Sequence, residues 1–370
     1  MTKKNSYRSI KMAISGGGTG GHLFPAIAIA QKVKEMSPES EVLFVGAEGK
    51  MEMEKVPKYG FTIKGLWISG FNRQSMMKNI SLPFKLISSL TKAMGIIRKF
   101  KPDIAIGVGG YASGPLLWAA NRKGIPTMLQ EQNSFPGITN KMLAPRAKKI
   151  CVAFDGMDRF FAKDKLVKTG NPIRENIRLI EKTTARKKTG FDPNQKTILI
   201  VGGSLGARTL NEAMKAHLDA LLQSGVQVLW QTGKLYYDQI NAEIGERLTD
   251  KIKITAFIDD MDAAYGAADL VISRAGALSI SELTYLGKAC ILVPSPNVAE
   301  DHQTKNAMAL VETGAAILVN DKEAVQQLVP KALEVLQDES QIEQLEKQAK
   351  NLAMPNAAEH IAQEIFKLVN

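Results

Sequence analysis

Three glycine-rich stretches each follow a short apolar run, an arrangement that suits the binding of phosphate groups. GGGTGGH occupies residues 16–22 after IKMAIS, GGYASGP occupies 109–115 after DIAIGV, and GGSLGAR occupies 202–208 after TILIV. Glycine lets backbone N–H groups approach an anion closely, and the helix that follows directs the positive end of its dipole at the same charge. A tight strand-to-helix turn without a ligand would explain any one stretch, but it explains three less well.

His22 ends the first stretch and is one of four histidines in the chain. An unperturbed imidazole titrates near operating pH, so it suits a general base that takes a proton from an attacking hydroxyl. A histidine in this place would equally well brace the loop by hydrogen bonding to its backbone. Both interpretations are open, and Glu131 in QEQNS is a second candidate for a catalytic group.

The first stretch also matches a dinucleotide-binding pattern. Gly16, Gly18 and Gly21 have the G-x-G-x-x-G spacing, and Glu48 follows the next apolar run, where a ribose-binding acid would lie. GGSLGAR lacks that spacing, and a dehydrogenase gives no reason for a second glycine-rich domain. A nicotinamide dinucleotide is therefore not expected.

A metal-binding pattern occurs once, as Asp260-Met261-Asp262. It directly precedes the helical segment AAYGAAD, where aspartates are ordinary caps and first-turn residues. No other cluster of ligand residues supports a metal site. We therefore expect neither a metal ion nor another cofactor.

The elements that must position these residues alternate along the chain. Short apolar strands, glycine-rich turns and helices repeat, which predicts parallel sheets wound by right-handed crossovers. The scheme restarts at Thr197 after a polar stretch. The sequence therefore predicts an α/β protein with two Rossmann-like doubly wound domains, residues 1–170 plus 355–370 and residues 171–354. The helix after Pro355 is expected to return to the first domain.

Composition agrees with two soluble globular domains. The chain has 370 residues and is 45% hydrophobic, enough for about two cores. Cys151 and Cys290 are too few for a disulfide framework. We expect no signal peptide, because no long apolar region follows the basic N-terminus. The longest uncharged stretch, 104–121, contains glycines and a proline, so no transmembrane segment is expected and a cytoplasmic location is predicted.

The net charge of +11 is concentrated in one window. Residues 55–102 contain ten lysines and arginines and no acidic residue, and four of the lysines recur every seven residues, at 78, 85, 92 and 99. That spacing places them on nearly one face of a helix. The window therefore predicts a basic helical surface.

The same window is rich in apolar residues. Leu86, Leu90, Met94 and Ile97 follow helical spacing and predict a buried stripe. Others lie where this pattern breaks and suit an exposed apolar patch rimmed by lysine. Such a surface fits contact with an anionic membrane, and a solvated helix face over a normal core is the alternative. The predicted membrane-contact residues are Trp67, Phe71, Met76, Met77, Lys78, Lys85 and Lys92.

Charge alone would also suggest a nucleic-acid-binding module. The chain has no recognised nucleic-acid-binding motif, and apolar residues crowd the basic window. No nucleic-acid partner is therefore expected.

Eight ordered motifs together resemble the bacterial MurG family. They are GGGTGGHLFPA, GVGGYASGP, EQNSFPGITNK, GNPIR, GGSLGAR, FIDDM, SRAGALSISE and DHQTKNA, and they run from about Lys11 to Ala307. The resemblance implies the GT-B fold, in which a cleft separates a membrane-associated acceptor domain from a C-terminal donor domain. It also implies an inverting transfer of N-acetylglucosamine from UDP-N-acetylglucosamine to lipid I, which gives lipid II. A UDP-N-acetylglucosamine 2-epimerase would share the nucleotide half but would not need the basic window.

The resemblance further implies which residues bind UDP-N-acetylglucosamine. Ser204 and Arg174 would contact the diphosphate, and the backbone around Ile258 would contact the uracil edge. Glu282 is placed to accept hydrogen bonds from the ribose diol, or else is an exposed acid of a first helical turn. The family often has two glutamines where this chain has His302 and Gln303. The full predicted set is Thr19, Gly20, Gly21, His22, Asn133, Arg174, Gly203, Ser204, Leu205, Ile258, Ala277, Leu278, Glu282, His302 and Gln303.

The acceptor side is predicted at the first two glycine-rich stretches. The 4-hydroxyl of the muramyl sugar must lose its proton as it attacks, and attack opposite the leaving group gives a β-1,4 link. The predicted acceptor-binding residues are Gly18, Gly109, Gly110, Tyr111 and Asn140. The implied location is peripheral, on the cytoplasmic face of the bacterial cell membrane, with cell-wall synthesis proteins as further partners.

Overall fold

The chain forms two compact units. The computed structural model describes residues 7–70, 80–173, 177–203 and 205–369. Unit 1 comprises Met1–Glu175 and Pro355–Asn370, and unit 2 comprises Asn176–Met354. Both are parallel α/β structures, and each is described separately below.

Unit 1 contains a seven-stranded sheet in the order β3-β2-β1-β4-β5-β6-β7. All of its strand pairs are parallel, and Ile14 of β1 lies opposite Phe44 on one side and Ile106 on the other. The strands are β1 (Lys11–Ser15), β2 (Glu41–Ala47), β3 (Thr62–Leu66), β4 (Ile104–Gly107), β5 (Thr127–Glu131), β6 (Lys149–Val152) and β7 (Leu166–Lys168).

Unit 2 repeats this arrangement with six parallel strands in the order β10-β9-β8-β11-β12-β13. Each sheet begins in its centre, grows to one edge and then crosses back to the other side, as in Rossmann domains. The strands are β8 (Thr197–Val201), β9 (Gln227–Gln231), β10 (Ile252–Thr255), β11 (Leu270–Ser273), β12 (Cys290–Leu292) and β13 (Ile317–Leu318).

Helices connect the strands, and the last helix returns to unit 1. They are α1 (Gly20–Met36), α2 (Glu52–Lys58), α3 (Leu82–Phe100), α4 (Ser113–Arg122), α5 (Ile138–Leu143), α6 (Lys182–Lys188), α7 (Arg208–Ala216), α8 (Leu218–Ser224), α9 (Tyr237–Ile244), α10 (Met261–Ala267), α11 (Ala277–Leu286), α12 (His302–Val311), α13 (Ala324–Gln337), α14 (Glu339–Asn351) and α15 (Ala357–Val369). Short 3-10 turns occupy Ala144–Arg146, Met157–Arg159, Lys163–Lys165, Gly245–Arg247 and Ala299–Asp301.

The core of unit 1 lies on both faces of its sheet. Met12 and Ile14 belong to one buried cluster, which α15 joins through Ile361 and Phe366. Ala13, between them in β1, belongs to the other cluster, because successive side chains of a strand point to opposite faces. Strands covered on both faces read as continuous apolar runs, which is why these strands could be recognised from the sequence.

The burial observed in helix α3 differs from the buried stripe predicted at Leu86, Leu90, Met94 and Ile97. Its buried residues are Ser89, Ala93 and Ile97, with Leu90 and Met94 partly buried. Leu86 is 49% exposed, so the prediction that it is buried was wrong. Small side chains at Ser89 and Ala93 suit the approach of α3 to α4, and burial begins only at Ser89. The first turns of α3 therefore carry apolar side chains that unit 1 does not cover.

Candidate active site

The three glycine-rich stretches and the loop before α11 lie in pairs at the switch points of the two sheets. In unit 1, β1 and β4 are neighbours, and residues 16–19 and 108–112 follow their carboxyl ends. In unit 2, β8 and β11 are neighbours, and residues 202–203 and 205–207 follow β8 while residues 274–276 follow β11. Ligands of open α/β sheets bind where the strand order reverses in this way. The topology therefore brings the predicted phosphate loops together two by two.

The two loops of unit 1 touch each other through glycine backbone. Gly109 and Gly110 have φ of +106° and +87°, which L side chains rarely adopt. A Cβ on Gly109 would overlap the His22 imidazole, and one on Gly110 would overlap the Gly17 carbonyl. This close approach therefore requires glycine at both positions.

His22 is held at the start of α1, between the two loops. It is the third residue of the helix and is half-buried. Its Nδ1 lies 3.3 Å from the Thr19 Oγ1, and its ring lies against Gly109. A partner at one ring nitrogen sets the tautomer and orientation of an imidazole. The contact is made by the Thr19 side chain, and it is compatible with proton transfer at the other ring nitrogen.

Glu52 is a residue of this site that sequence reasoning missed. Its carboxylate is buried beneath the first loop, where Oε2 accepts the Gly18 N–H at 2.9 Å and Oε1 accepts the Ala47 N–H at 3.0 Å. Gly18, predicted to bind the acceptor, therefore directs its N–H at Glu52. The only clue in the sequence was an acid in the first turn of a short helix, which usually complements the helix dipole.

Glu131 ends β5 and organises the loop after it. Oε1 accepts from the backbone and side-chain nitrogens of Asn133 at 3.1 and 3.2 Å, and Oε2 accepts from the Gly137 N–H at 3.2 Å and the Asn140 Nδ2 at 2.8 Å. The Glu131 side chain is buried. The predicted residues Glu131, Asn133 and Asn140 are thus brought together, with the carboxylate at their centre.

The Asn140 amide carries an unsatisfied oxygen. Its Nδ2 also donates to the Gln130 carbonyl at 3.3 Å. Its Oδ1 is buried and has no hydrogen-bond partner among the described residues. Most buried side-chain oxygens have partners, so this atom is an exception among the described residues.

Tyr111 links the second loop to the basic window. It is 48% exposed, and a Cβ on Gly70 would overlap its ring. Phe71, Met76, Met77 and Lys78, four of the predicted membrane-contact residues, follow Gly70 and lie outside the described residues.

The described part of the window presents an exposed apolar surface, which we call the α3 patch (Trp67, Ile80, Phe84 and Ile87). These side chains are 47%, 70%, 68% and 64% exposed, respectively. The Lys85 Nζ lies 5.7 Å from the centre of the Trp67 ring and donates to the Ser69 Oγ at 3.0 Å.

Lys92, also predicted to contact the membrane, makes an ion pair with Glu48 at 2.7 Å. Glu48, which the dinucleotide pattern would assign to a ribose, therefore has a lysine as its partner. None of the helices within the described ranges has the length and apolarity needed to span a bilayer.

On the donor side, two predicted diphosphate ligands, Arg174 and Ser204, lie outside the described residues. Asn171, three residues before Arg174 in the sequence, is buried. Its Nδ2 donates to the Gln132 carbonyl and its Oδ1 accepts from the Gln130 Nε2, both at 3.0 Å. The segment leading to Arg174 is therefore anchored to the end of β5. Gly203 and Leu205 are exposed at the loop after β8.

Helices α10 and α11 carry the remaining nucleotide candidates. Gly276 precedes α11, and Ala277 and Leu278 open it, so their N–H groups lack partners in a preceding turn. The Ile258 side chain is buried, so only its backbone could contact a ligand. Glu282 is half-buried on α11 and accepts a hydrogen bond from the Tyr265 hydroxyl at 3.0 Å.

The loop after β12 contacts Gln303, which is predicted to bind the donor sugar. The Gln303 Oε1 accepts the Ser295 N–H at 2.9 Å. Glu300 and Asp301, just before His302 opens α12, have φ of +58° and +50°. Non-glycine residues in the left-handed region often mark functional sites. His302 and Gln303 therefore follow a strained turn.

Asp260 of the D-x-D pattern caps α10, because its Oδ1 accepts the Ala263 N–H at 2.9 Å. Within the described ranges, no group of three or more His, Cys, Asp or Glu residues has an arrangement that could hold a metal ion.

Comparisons with known proteins agree with this architecture. Residues 12–152 match the glycosyltransferase family 28 N-terminal domain, and residues 197–361 match the glycosyltransferase family 28 C-terminal domain. Over 365 residues, the chain is 53% identical to "UDP-N-acetylglucosamine--N-acetylmuramyl-(pentapeptide) pyrophosphoryl-undecaprenol N-acetylglucosamine transferase" of Phocaeicola vulgatus, covering 98% of this chain and 97% of that protein.

Two solved structures extend the comparison. The crystal structure of Acinetobacter baumannii MurG superposes with a TM-score of 0.78 at 30% identity and covers 97% of this chain and 100% of that one. A UDP-N-acetylglucosamine 2-epimerase has a TM-score of 0.66 at 14% identity, covering 97% of this chain and 96% of that one. That second likeness concerns the fold alone.

Two Rossmann-type units with paired loops at their switch points, matched by both domains of one family, define a glycosyltransferase of family 28 with the GT-B fold. Within that class, the chain belongs to the MurG family. The predicted fold class and the family resemblance are both confirmed.

Proposed function

We propose that the chain transfers N-acetylglucosamine from UDP-N-acetylglucosamine to the 4-hydroxyl of the muramyl sugar of lipid I. In this reaction the bond between the anomeric carbon and the UDP oxygen breaks, a β-1,4 glycosidic bond forms with inversion, and UDP leaves. The observation that carries the proposal is the 53% identity over nearly the whole chain to a transferase named for this donor and acceptor.

The donor nucleotide is assigned to unit 2. Negative charge develops on the departing diphosphate, so donors aimed at it must stabilise it in the transition state. The opening N–H groups of α11, at Ala277 and Leu278, supply such donors, and Gly203 and Leu205 belong to the neighbouring loop. Arg174 and Ser204 complete the proposed diphosphate set. The Ile258 backbone would contact the uracil edge.

The sugar of the donor is assigned to His302 and Gln303, at the start of α12. Asn133 and residues 19–22 are proposed to contribute from unit 1. Since Gln303 also accepts the Ser295 N–H, the amide that would face the sugar is held by the loop after β12.

The acceptor is assigned to the paired loops of unit 1. His22 is the proposed general base, because its ring is oriented by Thr19 through Nδ1. Glu131, the weaker candidate, instead suits a positioning role, since its two oxygens hold the loop that carries Asn133 and Asn140. Asn140 remains a proposed acceptor residue, and Gly109, Gly110 and Tyr111 would line the pyrophosphate.

Membrane association is proposed through the α3 patch and the lysines of the window. Exposed aromatic and aliphatic side chains beside basic residues favour an anionic lipid surface. Because the polyprenyl chain of lipid I anchors the acceptor in a bilayer, the proposed location is the cytoplasmic face of the cell membrane. Other cell-wall synthesis proteins would meet the enzyme there.

The decisive experiment incubates the protein with UDP-N-acetylglucosamine and a lipid I analogue. We expect equimolar disaccharide and UDP, with a β-1,4 linkage by NMR. An α linkage, or release of UDP and free sugar without disaccharide, would contradict the proposal. A parallel reaction without acceptor tests the alternative, because an epimerase would form UDP-N-acetylmannosamine there.

A further inference from the structure

Tyr265 is a buried tyrosine whose hydroxyl contacts Glu282, the residue proposed to bind the ribose. It lies on α10, is 3% exposed, and donates to the Glu282 Oε2 at 3.0 Å. Buried tyrosine hydroxyls usually find a hydrogen-bond partner, and a bond to a carboxylate is stronger than one between neutral groups. The contact joins two helices that both begin at the carboxyl-end edge of the unit 2 sheet.

Helix α10 also connects to the proposed uracil contact. Ile258 lies in the loop before α10, and Asp260 caps that helix through the Ala263 N–H. The backbone that would contact the base and the hydroxyl that contacts Glu282 therefore belong to one short segment, the loop before α10 and α10 itself. A carboxylate can accept about four hydrogen bonds, so the phenol contact is compatible with binding of a diol.

We propose that Tyr265 is a positioning residue for ribose recognition, holding the Glu282 carboxylate in the orientation that accepts the 2′- and 3′-hydroxyls of a uridine nucleotide. The inference rests on the proposed function, because it takes a uridine diphosphate as the ligand of unit 2. Tyr265 would not touch the nucleotide. Its effect on affinity would depend on the ribose hydroxyls.

The test compares two nucleotides by calorimetry, UDP and 2′,3′-dideoxy-UDP. Tyr265→Phe removes only the hydroxyl and keeps the packed ring. We expect this variant to bind UDP about tenfold more weakly, which is the scale of a hydrogen bond to a charged group. Its affinity for 2′,3′-dideoxy-UDP should be unchanged. In the transfer reaction the KM for the donor should rise with kcat nearly constant, because the ribose is remote from the reacting bond.

Three further variants make the outcome decisive. Tyr285→Phe changes a partly exposed tyrosine of α11 and should affect neither nucleotide. Glu282→Gln tests the premise that Glu282 binds the ribose hydroxyls. It should lower the affinity for UDP more than the affinity for 2′,3′-dideoxy-UDP. The third variant combines Tyr265→Phe with Glu282→Gln. Its loss of binding free energy for UDP should be smaller than the sum of the two single losses, because both substitutions disrupt the same interaction.

The failures are distinguishable. Equal weakening of both nucleotides by Tyr265→Phe, or no weakening of UDP, overturns the positioning role while Glu282→Gln still discriminates. If Glu282→Gln itself fails to discriminate, the ribose assignment of Glu282 falls, and the role of Tyr265 falls with it. If UDP does not bind the unaltered protein, the proposed donor site is wrong.

Discussion

At the scale of single residues, the type of a side chain indicated the chemistry available, and its contacts limited the role. Glu131 was a candidate for catalysis because of its charge and place after a strand, yet both of its oxygens hold the following loop. Glu52 attracted no attention in the sequence, yet it accepts the Gly18 N–H beneath the first glycine loop. Both carboxylates accept hydrogen bonds from loop residues, and the hydrophobic periodicity of the sequence does not predict which loop residues these are.

His22 gives the sharpest prediction at this scale. We expect His22→Ala to lower kcat by about 100-fold or more, the usual contribution of a general base. His22→Asn retains a polar atom that can hydrogen bond to Thr19 but accepts no proton at neutral pH. It should therefore be as slow as His22→Ala.

Steady-state kinetics across a range of pH would measure both variants. His360→Ala, which removes an exposed histidine of α15, is the matched control and should retain full activity. Recovery of activity in His22→Asn would favour a purely bracing role for His22.

At the scale of elements, the strands and the glycine-rich turns were predictable because each reflects a local pattern. Strands buried on both faces read as apolar runs, and the turns between strands and helices need glycine where another backbone approaches. Helix α3 was predicted less well. Its helical spacing was correct, but the position at which burial starts depends on how far the neighbouring α4 covers it, so Leu86 is exposed.

The α3 patch gives a prediction at this scale. We expect Phe84→Ser combined with Ile87→Ser to weaken binding to vesicles that contain phosphatidylglycerol by about tenfold or more, because two exposed apolar side chains no longer enter the lipid interface. Vesicle sedimentation at low and high salt would measure the effect, since the lysine contribution should fall with salt.

Leu179→Ser, which changes an exposed leucine of unit 2, is the matched control and should bind vesicles like the unaltered protein. Circular dichroism and thermal unfolding verify that the double variant is folded, because the α3 patch belongs to unit 1. Unchanged sedimentation of a folded double variant would exclude the α3 patch as the membrane surface.

At the scale of the whole molecule, the chain leaves unit 1, completes unit 2 and returns with α15. The cores show how burial alters ionisation. Burial raises the pKa of the Cys151 and Cys290 thiols to about 12, so both remain protonated and unreactive. Burial, followed by the nearby positive charge of Lys182, lowers the pKa of Lys288 to about 8. The Lys288 Nζ donates to the Ala268 carbonyl at 2.9 Å.

Lys288 therefore predicts a pH dependence of stability. Its pKa in the folded protein, about 8, is lower than its ordinary value of 10.5, so between these values the unfolded chain binds more protons. The free energy of unfolding should rise with pH across that window through this residue. Below pH 8 the cost of the buried charge is present in full.

Denaturant titrations from pH 7 to pH 10.5 should show this rise in the unaltered protein and lose it in Lys288→Met. Lys322→Met, at an exposed position, is the matched control and should retain the slope. An equal slope in Lys288→Met and the unaltered protein would falsify the assignment to Lys288.

The sequence by itself determined the alternation of strands and helices, the location of glycine loops after strands, and the ordered motifs that place the chain in its family. These features depend on residues close together in the chain, so local periodicity and spacing reveal them. The tertiary structure decided which loops meet: β1 and β4 are neighbours although 88 residues, including the whole basic window, separate them in the chain. It also decided that Glu52 holds Gly18 and that Tyr265 holds Glu282. Such contacts depend on strand order and on the packing of distant helices, which no local pattern encodes.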